Sequence, residues 1–181
     1  MRATPQIQQS AHPPNPLAPP KPEAAAIPPE MRTERRWVCW RYAERDGKLT
    51  KVPSQPDGRP AKSDDSTTWT TWERTSAAAN RYGAVGVGFM LGCGWIGIDL
   101  DHCRDPQTGA IEPWAQAIVD RLRSYAEASP SGTGVHILCR GALPPGRRRK
   151  GRIEMYDSGR FFTITGNRLN DYGVEDRTPE L

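Results

Sequence analysis

Between Ala84 and Leu100 the chain reads "AVGVGFMLGCGWIGIDL". Two runs rich in β-branched and aromatic residues flank a Gly-Cys-Gly turn, which commits this region to a sheet. The short glycine turn predicts a hairpin. Successive side chains of a strand point to opposite faces. Ile98 and Leu100 therefore enter a core, while Asp99 and Asp101 share the other face. A sheet with one apolar face and one face bearing two adjacent acids is the frame into which the rest of the chain must fit.

Further strand signals lie at "RRWVCWRY" (35–42), "GVHILCRG" (134–141) and "RIEMYDSGRFFTITG" (152–166), the last expected to be a second hairpin turning at Asp-Ser-Gly. Asp46-Gly47 marks a tight turn. Helices are predicted over 71–82, with Thr70 or Thr71 as cap, and over 113–127. The second opens on Pro113 and repeats Trp114, Ile118, Leu122 and Tyr125 at helical spacing. The order β, α, β, β, α, β, β, β implies an α+β domain with a largely antiparallel sheet and helices on one face.

The first thirty residues hold nine of the eighteen prolines and no aromatic residue. Such a stretch buries too little apolar surface to offset its ordering entropy. Residues 1–33 are read as a disordered, polyproline-like tail, serving as a tether or as a proline-motif ligand. No apolar run marks a secretory signal or approaches a membrane span. The cysteines Cys39, Cys93, Cys103 and Cys139 form no CxxC pair, so reduced thiols in a cytoplasmic protein without structural zinc are expected.

Three elements carry chemistry. Carboxylates one residue apart on a strand repel, and either face water or are neutralised by a cation; their oxygens suit Mg²⁺ or Mn²⁺. "SPSGTGVH" (129–136) places two glycines and three hydroxyl residues before a strand, a composition that can present backbone N–H groups to an anion. It lacks the Gly-Lys-Ser/Thr ending of a Walker loop. His136 at its end is either packed in the sheet or a phosphate contact. Glu154, inside an apolar strand, needs a partner. If its strand neighbours 95–101, it is the third ligand of a two-metal centre. Arg160 then pairs with Glu154 or with a phosphate, and Asp157 is a turn residue. The stretch 140–152 holds six cations and no acid, including Arg147, Arg148, Arg149, Lys150 and Arg152. It is a solvated loop or a finger for nucleic-acid phosphates.

Acid pair, Gly/Ser/His loop and third acid, in that order and on strands, resemble the three motifs of the archaeo-eukaryotic primase superfamily. The likeness is to the primase-polymerase domains of phages and plasmids. Asp99-Leu100-Asp101 matches the first motif. Ser131 and His136 in "SPSGTGVH" match a wider form of the second, and Glu154 in "IEMYDSGRFFTITG" matches the third. The likeness runs upstream through "WVCWRY", "KVP" and "STTWTTWE" and covers residues 34–170.

The resemblance implies an RRM-like catalytic sheet packed on a smaller α/β unit, with the active site between them. It implies templated nucleotidyl transfer by two Mg²⁺ or Mn²⁺ ions held by Asp99, Asp101 and Glu154. Ser129, Ser131, Gly132, Thr133, Gly134 and His136 would grip the triphosphate, with Lys51 and Arg160 as further phosphate contacts and Phe161 or Phe162 beside the sugar. The basic stretch 147–152 would touch a single-stranded or primed DNA template, with dNTPs or NTPs as substrates. Such domains commonly continue into a helical accessory domain and often a helicase. Residues 171–181 are read as a linker or truncation point, and de novo priming is expected to need the further part. Two rival functions are a non-catalytic primase-derived module that binds DNA or a partner, and a metal-dependent nuclease. The nuclease would have no use for the Gly/Ser loop.

Overall fold

The structure, a computed structural model, describes residues 21–79 and 81–181. It contains two antiparallel sheets and three short α-helices. The four-stranded sheet comprises β1 (Trp37–Arg45), β2 (Lys48–Ser54), β3 (Gly86–Met90) and β9 (Phe161–Ile164), in the order β2-β1-β3-β9. The five-stranded sheet comprises β4 (Trp95–Leu100), β5 (Ala126–Ala128), β6 (Val135–Arg140), β7 (Arg149–Lys150) and β8 (Ile153–Tyr156), in the order β5-β6-β4-β8-β7. Helices α1 (Pro29–Arg32), α2 (Trp72–Ala78) and α3 (Pro113–Leu122) complete the framework. Among the described residues no helix is long and apolar enough to cross a membrane.

Neither expected hairpin at 84–100 or 152–166 exists. At Gly92-Cys93-Gly94 the chain leaves the four-stranded sheet and enters the five-stranded one. At Asp157–Arg160 it returns. The two crossings lie side by side, joined by the Leu91 amide donating to the Arg160 carbonyl at 3.0 Å. The Arg36 guanidinium, largely buried, reaches the Met90 and Leu91 carbonyls beside them. A tight turn between two β-rich runs looks the same in sequence whether the strands pair or part. The true hairpin is β1–β2, whose Asp46 and Gly47 both take positive φ, as a two-residue turn of this hand requires.

Helix α3 stops at Leu122, not at Glu127. Arg123 adopts φ 42°, and the chain turns into β5. Of the expected stripe, Leu122 is buried and Trp114 and Ile118 are partly buried against the same core, whose other α3 members are Ala115 and Val119; Tyr125 lies beyond the helix and belongs to the inter-sheet core. Helix α2 likewise ends at Ala78, short of the expected Tyr82.

Two corrections concern the ends. The tail reading fails for residues 21–33. Ile27 and Met31 are fully buried, and the Met31 carbonyl accepts the Trp37 indole N–H at 2.9 Å. Pro29 sits at the first position of α1, where its missing N–H costs nothing. The expectation for residues 1–20 lies outside the described residues. The C-terminal segment is not a free linker either: Gly173 and Glu175 carbonyls accept the Tyr125 and Arg140 amides, and Leu181 packs beside the α3 core.

Two cores result. One lies between the sheets, where Trp37 meets Trp72 and Phe89, and Phe89 meets Trp95, edge to face at ring distances of 4.8, 5.1 and 4.8 Å. The other lies between the five-stranded sheet and α3, built from Ile96, Ile98, Leu100, Val135, Ile137 and the α3 residues.

Candidate functional site

The inner face of β4 changes character within one strand. Trp95 and Gly97 lie toward the inter-sheet core, Asp99 follows, and Asp101 stands just beyond the strand end. Gly97 has no side chain because a Cβ there would come within 2.6 Å of the Phe162 ring. Phe162 fills that space and meets His136 edge-on at 5.1 Å.

Strand register builds a row across the sheet at the level of Asp99. Glu127 of β5 pairs with His136 of β6, His136 with Asp99 of β4, Asp99 with Glu154 of β8, and Glu154 with Arg149 of β7. Directly opposed residues of antiparallel strands share a face, so all five project to one side. His136 Nε2 lies 3.7 Å from Asp99 Oδ1, and Nδ1 lies 3.6 Å from Glu127 Oε1. Glu154 is held at both oxygens, by Arg149 at 2.9 Å and by the Tyr156 hydroxyl donating at 2.6 Å.

Asp99, His136 and Glu154 form one wall of a cleft of about 440 Å³ between the two sheets. Lys51, Phe161 and Phe162 from the four-stranded sheet form the other, with Arg160 at the return crossing. Phe161 fits because Gly88 faces it, where a Cβ would come within 2.7 Å of the ring. Phe161 is partly exposed, whereas Phe162 is buried. Arg160 lies over the Tyr156 ring at 4.9 Å.

Charge in the cleft is unbalanced. Burial raises the Asp99 pKa above its ordinary value; Asp101 and Glu154 push the same way, while His136 and Lys51 oppose them. Desolvation by the cleft walls lowers Lys51, against the pull of Asp99 and Asp101. The acids are therefore close enough to feel one another and only partly compensated. An all-oxygen donor set of this kind fits a hard divalent cation, which would relieve the repulsion around Asp99. As they stand, no three His, Cys, Asp or Glu side chains among the described residues converge on one point. Glu154 would have to exchange Arg149 for the cation.

The structure does not bring the whole expected site together. Asp99, His136, Glu154, Lys51, Arg160 and Phe161 meet in the cleft, and Asp101 adjoins it through its charge on Asp99 and Lys51. The loop Ser129–Gly134 does not line it. That loop satisfies itself: Ser129, Ser131 and Thr133 hydroxyls form a chain at 3.0 and 2.9 Å. The Gly132, Thr133 and Gly134 amides donate to Ser129 O, Ser131 Oγ and Ser129 Oγ. Arg104 secures it from outside through the Gly132 carbonyl at 2.8 Å.

The basic stretch is also less free than its sequence suggests. Arg148 pairs with Asp157 at 3.0 Å, Arg149 with Glu154, and Arg152 with Glu112 at 2.7 Å. Arg147 and Lys150 are exposed and form no ion pair among the described residues.

Glu127 and Tyr156 are the residues that sequence reasoning missed. Tyr156 carried a signal, standing two residues from Glu154 on a predicted strand. Glu127 carried none once its segment was read as helix.

No protein-family model matches the chain. A DNA primase-polymerase from Nitratiruptor phage NrS-1 is 39% identical over 140 residues, which is 72% of this chain and 19% of that protein. The chain thus matches about a fifth of its relative's length. Over the shared region it resembles a phage-type DNA primase-polymerase, the likeness to which its three motifs pointed.

Proposed function

We propose that this chain carries out metal-dependent, templated nucleotidyl transfer, as a DNA primase or polymerase in the replication of a phage, plasmid or integrated element. The observation that carries the reading is the direct cross-strand alignment of His136, Asp99 and Glu154 on one wall of a cleft whose other side offers Lys51 and Arg160. In this reading the five-stranded sheet is the RRM-like catalytic sheet, and the four-stranded sheet belongs to the smaller unit.

Asp99, Asp101 and Glu154 would hold Mg²⁺ or Mn²⁺. Bound there, the ions would make the primer 3′ hydroxyl a better nucleophile and neutralise charge on the departing pyrophosphate. The residues of the chain supply the positioning. Lys51 and Arg160 bring positive charge to the triphosphate from the wall opposite the acids, and His136 meets it from β6. The Ser129–Gly134 loop would join by trading its internal hydrogen bonds for phosphate oxygens. Phe161, half exposed beside Lys51, would pack against the sugar. Arg147 and Lys150, exposed and in no ion pair among the described residues, are the first cations available to a DNA backbone, with a helicase or helical accessory domain as a further partner.

The test is primer extension on a primed DNA template with labelled dNTPs and Mg²⁺ or Mn²⁺, with Asp99→Ala/Asp101→Ala as control. Extension by the wild type alone supports the reading. Metal-dependent dNTP binding without extension points to a domain that needs a further part. Absence of both favours the non-catalytic module.

A further inference from the structure

Glu127 is completely buried. Removing a carboxylate from water costs several kcal/mol unless it is well satisfied. Here its Oε2 accepts the Tyr125 hydroxyl at 2.6 Å and the Gly166 amide at 2.9 Å, and the Thr165 amide donates to Oε1 at 3.0 Å and Oε2 at 3.1 Å. Burial and the carboxylate itself raise Tyr125, so its phenol stays protonated as a donor. These donors are all neutral. Arg168, whose guanidinium lies over the Tyr125 ring at 5.5 Å, is occupied by the Asn170 and Tyr172 carbonyls. The remaining polar neighbour is His136. Its Nδ1 sits 3.6 Å from Glu127 Oε1 and 3.1 Å from the Thr163 carbonyl.

Nδ1 therefore faces two acceptors and no donor, and that nitrogen carries a proton. With Nδ1 held from behind and the ring flanked by Phe162, Nε2 is the nitrogen at the cleft, beside Asp99. We propose that Glu127 is a positioning residue for His136: with the Thr163 carbonyl it fixes the ring orientation and keeps a proton on Nδ1, so that Nε2 is aimed at the bound nucleotide, accepting from a hydroxyl in the neutral ring or donating to a phosphate oxygen when it carries a second proton. The role of the nucleotide rests on the function proposed above. Glu127 itself touches nothing that reacts.

A purely structural role would be to clamp the Thr165–Gly166 turn, which an amide oxygen can also do. Glu127→Gln separates the two, since it keeps a turn acceptor but places a donor or a neutral oxygen beside Nδ1. The experiment uses the full chain. Nitrogen-15 NMR of the imidazoles, with His136 assigned by His136→Asn, reads the tautomer. Calorimetry with dATP and Mn²⁺ reads binding for wild type, Glu127→Gln, His136→Ala and the double variant.

The expected results are an Nδ1–H signature for His136 that weakens in Glu127→Gln, and an affinity loss of about 10-fold in Glu127→Gln, as for other residues that orient a functional imidazole. The double variant should bind no worse than His136→Ala alone. An Nε2–H tautomer in the wild type overturns the proposal. So does additivity of the two losses, or a Glu127→Gln variant whose imidazole and affinity both match wild type. If Glu127→Gln does not fold, the wild-type tautomer still decides. If the wild type binds no nucleotide, the proposed function fails, while the imidazole signals still judge the role of Glu127.

Discussion

The two faces of the five-stranded sheet are made by the same strands and behave as different materials. On the outer face Ile96, Ile98, Leu100, Val135, Ile137, Cys139 and Ala126 are at most 1% exposed and pack under α3. On the inner face the same strands carry Glu127, His136, Asp99 and Glu154 in one row. Alternation along each strand separates holding the fold from charging the cleft, residue by residue. The sheet can therefore tolerate three carboxylates at one level, because each is backed by a side chain committed to the α3 core. The comparison is also testable, since neighbours in sequence should fail in different ways when replaced.

The largest contrast is between Ile98 and Asp99. Asp99→Asn should lower primer extension on the order of 10²–10³-fold, the usual loss when one electrostatic stabiliser of a transition state is removed, while the protein stays folded. Its stability should rise at neutral pH. The Asp99 carboxyl is raised by burial and then by its acidic neighbours, so the ionised form opposes folding. That opposition is absent below the ordinary value of 3.8 and complete above the raised one. The gain in melting temperature should accordingly be full at pH 7 and vanish on acidification below the ordinary value. Ile98→Ala should do the reverse. It should cost about 2–5 kcal/mol, seen as a lower denaturation midpoint, with nucleotide binding per folded molecule unchanged. An Asp99→Asn protein that melts early, or an Ile98→Ala protein that folds but binds no nucleotide, would break the division between the faces.

A smaller effect tests where the inner row ends. Arg149 is 65% exposed and Glu154 16% exposed, so their 2.9 Å pair lies at the boundary between sheet and solvent. Pairs of this kind contribute about 0–1 kcal/mol, which makes the contact exchangeable. Arg149→Ala should therefore tighten Mn²⁺ binding in the absence of DNA by a few-fold, measured by electron paramagnetic resonance. It should also reduce the slope of log K against log salt for DNA by about 1 if Arg149 turns to a phosphate in the complex. Unchanged Mn²⁺ affinity would mean that Glu154 is not part of the cation site.

Much of this division was legible in the sequence. Asp99 and Asp101 facing away from Ile98 and Leu100 follows from period two alone, whereas Glu154 was read only as needing a partner, and its place beside Asp99 comes from the pairing of β8 with β4. Sequence could not distinguish a hairpin from a crossing, because Gly92-Cys93-Gly94 supplies the same turn residues for either. It also read Ala126 and Glu127 as the end of a helix, since alanine and glutamate favour helix. What overrides that preference is distant: pairing of β5 with β6 and the Gly173 carbonyl on Tyr125. With the segment misread, Glu127 was invisible. The Ser129–Gly134 loop was recognised as a loop, but its composition could not show that its hydroxyls and amides satisfy one another.

The smallest expected effect lies at Arg152, which the sequence grouped with Arg149 as one basic finger. Arg152 forms a two-oxygen pair with Glu112 at 3.0 and 2.7 Å, donates to the His102 carbonyl at 2.8 Å, and lies over the Trp114 ring at 4.7 Å. Hydrogen bonds from Arg152 and the Trp114 indole hold the Glu112 carboxyl down to about 2. A lowered carboxyl contributes stability above its ordinary value of 4.5, and that contribution disappears as pH falls through about 2. Glu112→Gln should therefore lower the melting temperature slightly and uniformly from neutral pH to about pH 5, with the difference from wild type closing in strong acid. The same substitution releases Arg152. If the tie to Glu112 is what keeps Arg152 from DNA, the salt slope of Glu112→Gln should steepen by about 1, opposite in sign to the change in Arg149→Ala. A slope equal to wild type would show that Trp114 and the His102 carbonyl suffice to keep Arg152 in place, leaving Arg147, Arg149 and Lys150 as the cations of the finger that can reach a backbone.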